Sequence, residues 1–446
     1  MTTSDRQADV AGDPAQADPR AQVAAQQRAV AEVVDGRPGF WRRAASMISV
    51  YLFAAGALVA LLLPRLLDER TFFGWAFALT VTAAYVMYAA SWDILSGFTG
   101  QVNFGQSAFI GTGGFVAAVI ASRLDQPLFL VVLIATVVSA LLGVVVGVPA
   151  LRLTGPYLAL VTLTVVTALI NLTLALKEYT GGEEGVAGLR KLIDDPVLGP
   201  IGRALATVVL GSTYTDARAI DQDSYVDYLL MVLFALVVVA GLLVLGYSRR
   251  GLVLRSIQQD EMAAEAAGVD APRYKVAAFV LSGALAGFAG AMIVAARGTA
   301  QLDLLAVTLS LLIIVMAAVG GVGTVVGPVL GAVAVGVLDL KVLSETGFIG
   351  SNPELKLGVF ALALIVVVVL QPRGLLPPVQ DLWRKRLRER NSKQVAAGLA
   401  SLLQQPAGAG GEGRADTDEG STWQAGDPDQ ERVEGATGEQ TGGPRA

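Results

Sequence analysis

Six runs of about 20 apolar residues carry no charge inside them: residues 45–63, 72–90, 128–148, 156–176, 228–246 and 276–296. A helix rises ~1.5 Å per residue, so a run of ~20 residues crosses a ~30 Å hydrocarbon layer. No water-soluble core has room for six such runs. Composition agrees: 16% of the residues are charged and 54% are hydrophobic, against about a quarter charged in a soluble domain. The runs therefore predict an all-α, polytopic transmembrane helix bundle.

Further segments set the number of spans. Residues 304–338 are uncharged and long enough for two shorter elements joined at the glycines of 320–327. Residues 357–370 are only 14 long and make a short span. Residues 104–122 are Gly-rich and partly polar, and either span or re-enter. The total is about 8–10 spans, with Gly-rich broken or re-entrant segments.

Lys and Arg near span ends mark the cytoplasmic side. Arg37, Arg42 and Arg43 precede the first run, Arg249, Arg250, Arg255, Arg273 and Lys275 share one polar loop, and Arg384, Lys385, Arg386, Arg388 and Arg390 follow the last run. Ten spans, six before the loop and four after it, put all three clusters and both termini in the cytoplasm. That arrangement leaves 177–225 outside although it carries Lys177, Arg190, Lys191, Arg203 and Arg218. The domain reading is a disordered extension over 1–40, a transmembrane domain over 41–378 with a cytoplasmic loop at 248–274, and a basic then acidic disordered tail over 379–446. Residues 391–446 hold nine acids and four bases, which accounts for the whole net charge of −5.

Cysteine and histidine are absent, which excludes disulfides, thiolate chemistry and imidazole acid–base catalysis. The adjacent acid pairs Glu183/Glu184, Asp194/Asp195 and Asp260/Glu261 fall in polar loops expected to be exposed. Neighbouring side chains on one element do not face each other, so they make poor acid–base pairs. No metal site, nucleic-acid partner or catalytic residue is expected.

Three stretches carry functional information. Around Gly97-Phe-Thr-Gly-Gln101, glycines mix with Gln101, Asn103, Gln106 and Ser107 between two apolar runs. Irregular backbone at membrane depth must be buried in protein or line a wet cavity. The two readings are a translocation pathway, with Thr162 and Thr164 added from the next block, and a hydrogen-bonded helix junction. Residues 252–267 predict one amphipathic helix stopped by Gly268, with Val253, Ile257 and Ala264 on one side and Arg255, Asp260, Glu261 and Glu265 keeping the rest polar. Such a helix suits docking into a soluble partner or lying on the membrane surface. Ala318-Val-Gly-Gly-Val-Gly-Thr-Val-Val-Gly-Pro328 has no Lys-Ser/Thr after it and reads as a broken membrane helix, not a phosphate loop. Gly283, Gly287 and Ala291 make a small-residue strip suited to helix packing.

These blocks resemble, in order, those of the branched-chain amino-acid ABC transporter permease family. The resemblance includes Arg152-Leu-Thr-Gly-Pro-Tyr157, Thr180-Gly-Gly-Glu-Glu-Gly185, Glu265-Ala-Ala-Gly268 and Gln371-Pro-Arg-Gly-Leu-Leu376, and covers about residues 75–377. Glu183, Glu184 and Gln371 depart from the family pattern. The resemblance implies a non-enzymatic transport subunit of the bacterial cell membrane, translocating branched-chain amino acids or a similar small polar solute. It also implies that Arg255, Asp260, Glu261, Glu265 and Gly268 couple the chain to ATPase subunits. ATP is used by those partners, and no cofactor binds here. A second homologous permease subunit, an extracytoplasmic solute-binding protein and the lipid bilayer complete the expected partners. The alternatives are a permease for urea or short amides, an ion-driven secondary transporter, and a membrane scaffold or lipid-acting enzyme. Ionisable residues inside spans would favour the ion-driven carrier. The charge-free runs contain none, and Asp93 is read as lying just outside one.

Overall fold

The computed structural model describes residues 38–343 apart from 125, 151, 152, 154, 188–190, 212, 213 and 215–218, together with 355, 358, 362, 365, 374 and 376. The extension before residue 38, most of the 357–370 run, the tail from 379, and Arg37, Arg152, Arg190, Arg218 and the Arg384–Arg390 cluster lie outside the described residues.

Among the described residues, six helices have the length and composition to cross a membrane, and each grows from one charge-free run. Helix α1 is Pro38–Leu66, α2 is Glu69–Trp92, α3 is Gln106–Arg123, α4 is Leu128–Ala150 and α5 is Pro156–Ala175. Then come α6 at Leu198–Leu210, α7 at Ala219–Tyr247, α8 at Arg249–Gln259, α9 at Glu261–Ala266 and α10 at Ala271–Arg297. The uncharged 304–338 stretch forms two shorter helices, α11 at Val307–Gly320 and α12 at Val326–Val337. The six candidate spans are α1, α2, α4, α5, α7 and α10. The rest of the 8–10 spans would have to come from α3 and the shorter apolar helices. The protein is thus a polytopic helical bundle.

Each end of the bundle has its own stitching. The 248–270 segment marks one end, called here the loop end. At the opposite end, Asp68 caps α2 by accepting from Thr71 N at 3.2 Å and Thr71 Oγ1 at 2.8 Å. Both hydrogen bonds, the hydroxyl's first, hold the Asp68 carboxyl below its usual range. Phe72 stacks on Tyr225 with centroids 4.7 Å apart, joining α2 to α7. Tyr228 Oη donates to Ala60 O at 2.7 Å and brings in α1. A two-residue strand, β1 at Val186–Ala187, pairs antiparallel with β2 at Thr299–Ala300 and ties the Gly-rich 180–187 loop to the end of α10.

The core is built around α10, which packs on α4, α3 and α2. Small residues make this possible. At Gly113 a Cβ would fall on the Gly287 backbone, and at Gly287 it would fall on the Ser139 side chain. The strip at 283–291 is therefore filled by α3 and α4. This close approach is what small-xxx-small patterns allow in lipid, where dispersion and close packing replace the hydrophobic effect between helices. The outward side of α4 shows Leu133, Val137, Leu141 and Val145 at helical spacing, all exposed. An apolar stripe of that length is suited to lipid.

The structure corrects three readings. Residues 252–267 form two helices, because Asp260 adopts an extended conformation and its carboxylate caps α9 at Ala263 N, 2.9 Å away. Asp195 is not exposed. It is 1% accessible, and its oxygens accept from Leu128 N, Val197 N and Leu198 N. Asp93 does not lie outside a span: helical structure continues through it to Gly97 as a π-helical segment, Asp93–Gly97, and the residue is fully buried. As for 104–122, α3 is a single helix whose Arg123 donates to Glu178 O at 2.6 Å at the opposite end. Its start adjoins Gly100, which sits against Gln258 of the loop end, so α3 runs across the bundle.

Candidate functional site

The loop end holds the first constellation. Ser248 caps α8 by accepting from Gly251 N at 3.3 Å. The cap fixes the helix against the end of α7. Ile257 and Ala264 turn inward onto Ala271, which seats α8 and α9 on α10. Glu261 pairs with Lys275 at 2.5 Å, Asp260 is the cap already described, and Gly268 takes φ +86°. Glu265 is exposed. Met262, a residue sequence reasoning passed over, is 81% exposed.

Arg255 points the other way, into the bundle. Its guanidinium lies 4.5 Å from the centroid of the Phe98 ring and donates to Gly323 O at 3.3 Å. Gly323 belongs to the turn between α11 and α12, at φ +80°, where a side chain would be strained. The same turn is gripped from α2. Asp93 Oδ1 accepts from Gly323 N at 2.6 Å, and Oδ2 from Val325 N at 3.0 Å. A buried carboxylate needs such donors, since an unpaired charge costs several kcal/mol. Val325 has φ +61° and ψ −55°, with Val326 N donating to Thr324 O at 2.8 Å. That is a γ-turn of the rare positive-φ kind, strained for any β-branched residue. The geometry makes one connected path, from the α8 helix through Arg255 to the 321–325 turn and on to α2.

A second constellation lies one layer deeper. Asn103 Nδ2 donates to Gln106 Oε1 at 2.8 Å, and Gln106 Nε2 donates to Ser91 Oγ at 2.9 Å and Ser282 Oγ at 3.3 Å. Ser282 Oγ donates to Ser91 O at 2.7 Å. Ser310 Oγ accepts from Ser107 N at 2.9 Å and lies 2.8 Å from Ser107 Oγ. Thr162 Oγ1 accepts from Phe104 N at 3.1 Å. This belt joins α2, α3, α5, α10 and α11. Asn103, Gln106, Ser107, Ser282 and Ser310 have no exposed surface. Gln101 differs, because its Oε1 is buried without a partner.

Thr164 is not part of the belt. Two residues along a helix turn the side chain about 200° away, and Thr164 faces outward with Thr167 and Asn171 at helical spacing. Each donates back to its own helix, to Leu160 O at 2.9 Å, Leu163 O at 3.4 Å and Thr167 O at 3.0 Å. Helix α5 buries only Leu158, Thr162, Val166 and Thr173, whereas most of α2 is buried. A polar strip on so open a helix is poorly suited to lipid tails.

Among the described residues, no group of three or more Asp or Glu side chains is placed to hold a metal ion.

Comparison with known proteins adds to this geometry. Residues 74–368 match the family described as "Branched-chain amino acid transport system / permease component". The chain is 28% identical over 306 residues to the high-affinity branched-chain amino acid transport system permease protein LivM of Salmonella typhimurium, covering 67% of this chain and 69% of that protein. It is 27% identical to the LivM of Escherichia coli over the same shares. It is also 28% identical over 263 residues to the probable branched-chain amino acid transport permease protein LivH of Methanocaldococcus jannaschii, covering 53% of this chain and 80% of that one. No solved structure matches the chain.

Proposed function

We propose, from the premise that this chain belongs to the branched-chain amino acid transport permease family, that it is the membrane subunit of an ATP-driven importer for branched-chain amino acids. The observation that carries the coupling half of this reading is the Arg255 path. A helix pair at the loop end shows an exposed apolar tip, Met262, and is wired by Arg255 to a strained turn inside the bundle. A soluble ATPase that grips the tip would pull on that turn. In this reading Arg255, Glu261, Asp260 and Gly268 shape the docking element, and Glu265 and Met262 meet the partner. The loop end then faces the cytoplasm of a bacterial cell.

The outward polar strip of α5 supports a second permease subunit beside this face. Thr164, with Gln101 and its spare acceptor, would line the solute path, while Asn103, Gln106, Ser107 and Thr162 hold the helices that frame it. Glu183 and Glu184, both exposed in the Gly-rich loop at the opposite end, would meet the solute-binding protein.

The test is uptake by vesicles in which the chain is reconstituted with its ATPase, second permease and binding protein. Labelled leucine, urea and a short amide are compared with and without internal ATP. ATP-dependent leucine uptake supports the reading, and uptake that ignores ATP overturns it. An ion-driven carrier gains support from carboxylates inside spans, Asp93 in the α2 span and Asp227 in α7. Uptake driven by an ion gradient alone would favour it.

A further inference from the structure

A partly open cavity of about 110 Å³ lies between α2, α7 and α10. A single water needs only about 10–15 Å³ of such space, so a small organic molecule fits. The cavity is at the end of the bundle opposite the loop. Asp227 is 20 residues from the loop end of α7, roughly 30 Å along the helix, and Arg297 is the last residue of α10.

Its lining is mostly apolar, with Phe77, Val81 and Ile293 prominent. Two charged residues of opposite sign break that lining, and each leaves a buried polar atom without a partner: Asp227 Oδ1 and Arg297 Nε. The groups that could have paired them are engaged. Lys191 is bound to Asp223, one turn from Asp227, at 2.6 Å, and Arg297 Nη1 is fixed by Asp303 Oδ2 at 3.0 Å. Thr80 Oγ1 gives its proton to Ala76 O at 2.8 Å, so what it offers the cavity is an acceptor. A buried carboxylate oxygen and a buried guanidinium N–H left unpaired each cost free energy unless a ligand or water completes them.

From this arrangement we propose that the cavity is a binding site for a small zwitterion of the α-amino-acid class. The ammonium group of the ligand sits on the Asp227 carboxylate and Thr80, and its carboxylate pairs with the Arg297 guanidinium. The apolar side chain lies against Phe77 and Ile293. This rests on the importer reading for its biological meaning, as a place where solute is held before translocation. The binding claim itself concerns the full chain alone.

The test is equilibrium binding of labelled leucine to the purified full-length chain in nanodiscs, with isopentylamine and 4-methylpentanoate as competitors lacking the carboxylate or the amine. Leucine is expected to bind and either competitor to bind about tenfold or more weakly, the loss of one charge-assisted hydrogen bond. Asp227→Asn and Arg297→Lys are each expected to weaken leucine by a similar factor, with folding checked by size-exclusion profile. Thr80→Val, a near-isostere, gives a smaller loss and keeps the test open if a charge variant fails to fold. No leucine binding by the wild type, equal binding of isopentylamine, or unchanged binding by Asp227→Asn each overturns the site. Leucine binding without ATP-driven uptake in the complete system would keep the site and overturn the importer. ATP-driven uptake with no binding in the cavity would do the reverse.

Discussion

Asp93 holds the Gly323 amide at 2.6 Å across 230 residues of sequence, joining the end of the α2 span to the turn between α11 and α12. With the second bond to Val325 N, this carboxylate completes two backbone donors that nothing else among the described residues satisfies. Asp93→Ala should therefore destabilise the protein by about 3–5 kcal/mol, since a hydrogen bond to a charged group contributes ~1.5–3 kcal/mol. Asp93→Asn keeps one acceptor and should cost about half as much. Thermal unfolding in detergent ranks the three proteins, and an unchanged midpoint for the alanine variant would show that the turn holds itself.

Arg255 sets its guanidinium over the Phe98 ring and makes a hydrogen bond at once, which an ammonium group cannot reproduce. Arg255→Lys should lower stability by only about 1 kcal/mol. It should nevertheless reduce ATP-driven uptake severalfold while the ATPase subunit still co-purifies. Recovery of full uptake with lysine would mean that charge alone matters.

Met262 is the complementary case. As an exposed side chain it should accept Met262→Asp within about 0.5 kcal/mol. On the importer reading the same change should abolish co-purification of an ATPase subunit, because it places a charge on the apolar tip proposed to meet it.

Gly113 and Gly56 separate packing from propensity. Gly113→Ala puts a methyl on the Gly287 backbone, and overpacking of this kind costs ~1–3 kcal/mol. Gly56→Ala has open space around it and should stabilise α1 by up to about 1 kcal/mol. Differential scanning of the two variants should give shifts of opposite sign.

The Lys191–Asp223 pair predicts a pH dependence. The hydrogen bond that Lys191 donates to Asp223, then the charge of that carboxylate, raises the Lys191 pKa above its ordinary value of about 10.5. The folded value is the higher one, so the contribution of the pair is complete below about pH 10.5 and is lost as pH rises through the folded pKa. Hydrogen exchange near residues 191–194 should quicken across that alkaline window in the wild type. The Lys191→Met variant should show no such step.

The membrane-spanning part of the fold could be read from the sequence because a charge-free run has few alternatives. Leu128–Ala150 matches the 128–148 run almost residue for residue. Positions that depend on partners far away in sequence could not be read this way. Asp93 looks like the edge of a span until the Gly323 and Val325 amides are placed beside it. Asp260 looks like one polar residue on a helix face, yet its carboxylate competes for the backbone and breaks the helix. Thr162 and Thr164 share a motif but point to different surroundings, a distinction that needs the helix phase and its neighbours. The cavity at Asp227 and Arg297 draws on three helices, and Asp227, one residue before the 228–246 run, gave no sign of it in the sequence.

The γ-turn at Val325 has a mechanical consequence. A β-branched residue held at positive φ is a loaded catch, and its own amide is one of the two donors that Asp93 retains. A displacement of about 1 Å that parts amide from carboxylate would let the turn recoil to an ordinary conformation. The bundle thus keeps, next to its loop-end helix pair, a small store of strain that a pull on Arg255 is placed to discharge.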